Sequence, residues 1–161
     1  MRRFLLLVAL GLGCVVLVVL WPRTPEPTIA EHGPPPAAVK PPPPPLQADA
    51  EGSYVPGYRF TLNGFRFTGF SLRPEAFVTF VTASGTRESP ACLQAAITAD
   101  AVHLRCEGPQ GSTVTIDGKF LTRLATTRLD MAVLSAVVTV RSGSGEVLYS
   151  ARDRFGWQPS N

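Results

Sequence analysis

Hydrophobic and polar positions follow three different patterns along the chain, with breaks at Trp21 and near Gly52. From Phe4 to Trp21 the sequence FLLLVALGLGCVVLVVLW is apolar throughout. From Pro22 to Gly52 large apolar side chains almost disappear and Pro dominates. From Ser53 onward apolar and polar residues alternate with period two, the signature of half-buried strands.

The first pattern predicts a membrane anchor. An uncharged apolar run of about 18 residues, at ~1.5 Å rise each, just spans a hydrocarbon core of ~30 Å. Trp21 falls at headgroup level, where aromatic rings concentrate. A cleaved secretory signal has a shorter apolar stretch and a small-x-small cleavage site. The sequence Leu20-Trp21-Pro22-Arg23 offers no such site. A lipoprotein signal around Cys14 would turn polar after the cysteine, whereas Val15–Leu20 stay apolar. An uncleaved transmembrane helix over 4–21 is therefore expected, ahead of a cleaved signal or a lipid anchor. Arg2 and Arg3 before the run, against Arg23 alone after it, put residues 1–3 in the cytoplasm and the rest of the chain outside.

Residues 22–52 read as a proline-rich linker, disordered or in polyproline II. Each Pro fixes φ and removes an N–H donor, which excludes helix and sheet in the Pro34–Pro36 and Pro41–Pro45 runs. At ~3.1 Å per residue the segment would hold the following domain some 90 Å from the bilayer if extended throughout. A spacer is the expected role, ahead of a docking ligand for an aromatic-lined groove.

The alternating part, 53–161, predicts an extracytoplasmic all-β domain: a small antiparallel β-sandwich (Ig-like or similar) or a barrel. About 110 residues suffice for one domain and not for two. Tyr58, Phe60 and Leu62 alternate with polar residues up to Asn63-Gly64, and Phe65 and Phe67 resume the pattern; Asn-Gly between such runs signals a type I′ hairpin. Phe77–Thr82 is apolar on both faces and predicts a central strand. Val102, Leu104 and Cys106 form one face of another strand, with His103, Arg105 and Glu107 on its reverse. The segment before it, 90–98, suits a Pro-started helix or a strand, and strand is favoured. Asp117-Gly118 is read as a second type I′ turn. At the C-terminal end Ala132, Leu134, Ala136, Val138 and Val140 line up. With a two-residue turn at Gly143-Ser144, they match the returning strand as Val140 opposite Val147, Val138 opposite Tyr149 and Ala136 opposite Ala151. A slip of one residue would expose the whole stripe.

Charge and composition add exclusions. The net charge of +3 is mild, and Arg residues in the domain alternate with acids, a spread that does not mark a nucleic-acid binder. Of the three cysteines, Cys14 lies within the apolar run. Cys92 and Cys106 are left as a pair in an oxidising compartment and are expected to form a disulfide. With His103 they fall one ligand short of a tetrahedral zinc site, so no metal is expected. No cofactor is expected, since the P-loop Lys-Ser/Thr is lacking after Gly143-Ser144-Gly145. His103 is read as an exposed strand residue, because the sequence by itself brings no nucleophile and no carboxylate to it. No catalytic residue is assigned, and the chain is expected to be a non-enzyme.

One anomaly stands out in the last strand. Asp153 interrupts the apolar stripe of Val147, Tyr149, Ala151, Phe155 and Trp157. A buried, unpaired carboxylate is costly, so Asp153 must be paired, at a rim or displaced by a bulge. The rim is the favoured placement, with a partner-binding patch of Asp153, Arg154 and Trp157 as the functional candidate. Trp157 itself is expected to complete the core.

The plan of apolar helix, proline-rich extension and small outer domain resembles that of the TonB-type energy transducers. Their anchors carry Ser and His residues, which Phe4–Trp21 lacks, and their terminal domain includes helix. Some secretion and pilus components share the plan with an all-β module. No motif in the chain selects any of these, and no family is claimed. Pattern and plan together predict a membrane-anchored binding or assembly module with a protein partner. A tethered enzyme with a dispersed site is the alternative, or a secreted protein if the run is cleaved.

Overall fold

The computed structural model describes residues 43–160. The apolar run, its flanking arginines and most of the proline-rich segment lie outside the described residues. Within 43–160, no helix is long and apolar enough to cross a membrane.

The described chain is all-β. Ten strands follow in order: β1 (Gly52–Pro56), β2 (Thr61–Leu62), β3 (Phe65–Ser71), β4 (Phe77–Thr82), β5 (Arg87–Glu88), β6 (Cys92–Ile97), β7 (Ala101–Glu107), β8 (Thr113–Phe120), β9 (Leu134–Arg141) and β10 (Val147–Pro159). They form one antiparallel sheet in the order β5-β4-β3-β1-β10-β9-β8-β7-β6, with β2 as a short flap on β3. Apart from the β1–β10 contact and the β1–β3 contact, which skips the short β2, neighbours in this sheet follow one another along the chain, so the sheet is largely a meander. Its ends come together between β5 and β6. The Val78 N–H donates to the Pro90 carbonyl at 3.2 Å, and the Cys92 N–H donates to that of Ala76 at 2.9 Å. On the other side of this segment the Glu107 N–H donates to the Ala91 carbonyl at 3.3 Å. Residues 90–92 thus join β4 to β7 and the sheet curls around a single core.

That core is aromatic on one side and aliphatic on the other. Tyr54, Phe67, Phe70, Phe80 and Phe155 are buried, opposite Leu104, Ile116, Val138 and Val140. Phe60 stacks on Tyr149 with centroids 3.8 Å apart, and Tyr54 stacks on Phe70 at 5.1 Å. Burial pushes the Tyr54 phenol far above its usual range. Its hydroxyl donates to the Gln47 carbonyl at 2.5 Å.

Several expected local features are present. Asn63 and Gly64 both have positive φ, at 49° and 84°, and turn β2 into β3. Segment 92–97 is a strand rather than a helix. Two expectations need correction. Asp117-Gly118 is not a turn: β8 runs straight through it, with Asp117 opposite His103 and Val137, and Gly118 opposite Val102 and Ala136. Gly118 serves close packing instead, because a Cβ there would sit 2.8 Å from the Ala136 Cβ. The β9–β10 turn is one residue longer than expected, with Ser142 bonding to Glu146 and Gly145 left-handed at φ 91°. A bulge between Val147 and Tyr149 adds a second shift. Tyr149 therefore opposes Val140, and Ala151 opposes Val138. The two shifts cancel in parity, so the apolar stripes still meet, two residues out of the expected register.

The fold also takes in residues ahead of Ser53. Gln47 is buried, its N–H donates to the Arg123 carbonyl at 3.1 Å, and its Nε2 hydrogen-bonds the Leu124 carbonyl.

Candidate functional site

The terminal strand places its three expected patch residues on two faces. Asp153 and Trp157 share the inward parity of β10, and Arg154 points outward, exposed. Asp153 is half-buried on β10, and hydrogen-bond partners account for it. Its Oδ2 accepts the Tyr58 N–H at 2.9 Å, and its Oδ1 accepts the Arg154 N–H at 2.7 Å. The carboxylate thus ties down the loop after β1. Its negative charge, with burial the larger cause, raises the Tyr149 phenol above its usual value. Trp157 is partly buried against the core and opposite Tyr54.

Arg154 and Trp157 do meet at one place. With Val55, Pro56 and Pro159 they line one wall of an open groove of about 600 Å³, whose other wall is the segment 127–132. That segment connects β8 to β9 and presents Leu129, 100% exposed, and Met131, 42% exposed. Large apolar side chains held this far into water are the feature of the groove that packing does not account for. Asp153 does not line it. The contribution of 127–132 was not visible in the sequence, because TRLDMA has no period that predicts an element.

A second cluster lies on the outer face of β7 and β8. The His103 Nδ1 is 2.5 Å from the Asp117 Oδ1, with side chains 49% and 58% exposed. Cross-strand pairing of His103 with Asp117 makes this contact, and reading Asp117 as a turn residue hid it. Asp100, nearer in sequence, pairs instead with Arg123 at 2.7 Å. A His–carboxylate pair is two-thirds of a nucleophilic triad. Among the described residues no hydroxyl or thiol hydrogen-bonds to the imidazole, and the surrounding depression of about 740 Å³ is shallow and open. Also among the described residues, no three His, Cys, Asp or Glu side chains come together as a metal site.

Cys92 and Cys106 are directly opposed on β6 and β7 and are joined by a disulfide. Cys106 is fully buried, so the bond staples β6 to the core side of β7.

No known protein family matches the chain, and neither a curated protein nor a solved structure matches it.

Proposed function

We propose that the chain is a single-pass, membrane-anchored binding or assembly module whose β domain works outside the cytoplasm on a proline-rich tether. The apolar run 4–21, its flanking arginines and the linker that follows support the anchor and the orientation. The curled sheet is read as a small domain of the sandwich class, its aromatic half packed face to face on its aliphatic half. Its kinship with Ig domains extends to that packing and not to their Greek-key connections.

The observation that carries the binding role is the groove between β10 and segment 127–132. It combines Trp157 and Arg154, residue types favoured at binding hot spots, with exposed Leu129 and Met131. The core is filled by its own side chains, so a partner would dock on the outside. A protein partner fits an open, partly apolar groove of this kind.

The test is affinity capture from membranes with the intact chain, beside a Leu129→Asp variant. Recovery of one protein by the wild type, and its loss in a variant that melts at the same temperature, is the expected result. Equal recovery by both would remove the groove from the account. The His103–Asp117 pair favours a second reading, a tethered hydrolase. Turnover of an activated ester, abolished by His103→Ala, would put that reading first.

A further inference from the structure

The outward parity of β7, β8 and β10 gathers cations on one face. Arg105, Lys119, Arg152 and Arg154 are all exposed there. Lys119, Ser135 and Arg154 stand in one row across β8, β9 and β10, and Asp117, Val137 and Arg152 in the next. Arg105 lies one row further on, level with Thr115, Thr139 and Ser150. Same-face neighbours along a strand are about 6.8 Å apart and adjacent strands about 4.8 Å, so the four charges fall within a patch roughly 20 Å across its diagonal.

Glu107 follows Arg105 on the outward face of β7, and no ion pair joins the two. The one carboxylate in these rows, Asp117, is engaged by His103. Among the described residues none of the four cations lies in an ion pair, since the pairs formed are His103–Asp117 and Arg123–Asp100. Four like charges held together without partners repel one another, and an anion spanning them relieves that repulsion. What lies between the cations narrows the kind of anion. Around Val137 the intervening positions Thr115, Ser135, Thr139 and Ser150 carry hydroxyls, with Thr139 Oγ1 and Ser150 Oγ 3.1 Å apart, and the open depression beside His103 and Arg152 is lined largely by Ala, Gly, Ser and Val residues. Apart from the single His103 imidazole no aromatic ring projects from these rows, so successive bases have no stacking platform. Nor do the rows form a deep apolar pocket to anchor a peptide side chain. A hydrated, hydroxyl-rich polymer with regularly placed carboxylates satisfies both the cations and the hydroxyls, the cations through charge-assisted hydrogen bonds.

We infer that the outer face of β7–β10 binds an acidic, carboxylate-bearing polysaccharide. The inference rests on the reading of the domain as an extracytoplasmic binding module, and it assigns to that module a second surface beside the groove.

The experiment titrates the full chain in detergent with polygalacturonate, with neutral dextran and with single-stranded DNA. Polygalacturonate should bind, and binding should weaken at least tenfold between low salt and about 0.5 M salt, where exposed charges are screened. Dextran should not bind, and DNA should bind at least tenfold more weakly. An Arg105→Ser, Arg152→Ser double variant, which leaves the groove untouched, should lose at least tenfold in affinity while melting normally. An Arg59→Ser, Arg87→Ser control should retain full affinity. Equal binding by the double variant, equal binding of dextran, or DNA binding as tight as polygalacturonate would each overturn the inference. If polygalacturonate fails while Leu129-dependent capture of a protein persists, this inference alone falls. If both fail, the binding-module reading falls with it.

Discussion

The Asp153 carboxylate accepts the backbone N–H of Tyr58 at 2.9 Å, so a residue near the end of the chain fixes the loop that follows its first strand. A loop N–H at the rim gains an acceptor, and the anion that breaks the β10 stripe gains a donor. Asp153→Ala should lower stability by about 1 kcal/mol, a typical net value for such a bond, and Asp153→Asn by less, because an amide oxygen still accepts. Spectrophotometric titration should also find the Tyr149 phenol lowered toward the usual 10.0 in the Ala variant, with burial keeping it from returning fully. An unchanged phenol and an unchanged melting temperature would separate Asp153 from both.

Gly118 should be intolerant of even one methyl group. Ala136 Cβ at 2.8 Å and Leu134 Cδ1 at 3.1 Å would crowd a Cβ there, and both lie within rigid strands. Gly118→Ala should destabilise the domain by about 1–3 kcal/mol, the usual cost of overpacking. Denaturant unfolding would reveal it, and a neutral substitution would contradict the continuous β8 strand.

That glycine also marks where the sequence was readable and where it was not. Asn63-Gly64 and Asp117-Gly118 look alike locally, but the first needs positive φ and the second needs only the absence of a Cβ against a neighbouring strand. Tertiary packing makes that distinction, and no local pattern records it. The period-two stripes of β7, β9 and β10 were legible because burial on one face enforces them. The register of β9 on β10 was legible in parity only, since the bulge near Val147 leaves no mark in composition. Leu46–Ala50 was hidden because Gln47 is polar and its burial depends on carbonyls supplied by Arg123 and Leu124. The Cys92–Cys106 pair was legible from elimination and spacing. The His103–Asp117 pair was not, because cross-strand partners follow only from the register.

The Cys92–Cys106 disulfide should be present in the folded protein. Free-thiol labelling of the unfolded, unreduced chain should mark neither Cys92 nor Cys106. Their separation of 14 residues closes a short loop, so reduction should cost no more than about 3 kcal/mol. Full labelling of both would show the bond absent.

Stability should fall in alkali. The folded-state pKa of Tyr54 is raised by burial above the model-peptide value of 10.0, so the unfolded chain releases its proton first. The stabilisation from the neutral buried phenol is complete below pH 10 and is lost as pH rises from there toward the folded value. Tyr54→Phe should flatten this decline while lowering stability near neutrality through the lost bond to Gln47. A variant with the wild-type alkaline slope would shift the cause to another group.

The account depends most on which side of the membrane the β domain occupies. A reporter active only after export, fused behind Asn161 in the full-length chain, measures this directly, with carbonate extraction of the same membranes. The account predicts an active reporter on a chain that stays in the membrane pellet. Activity confined to the cytoplasm, or a soluble fragment released by the wash, would contradict it.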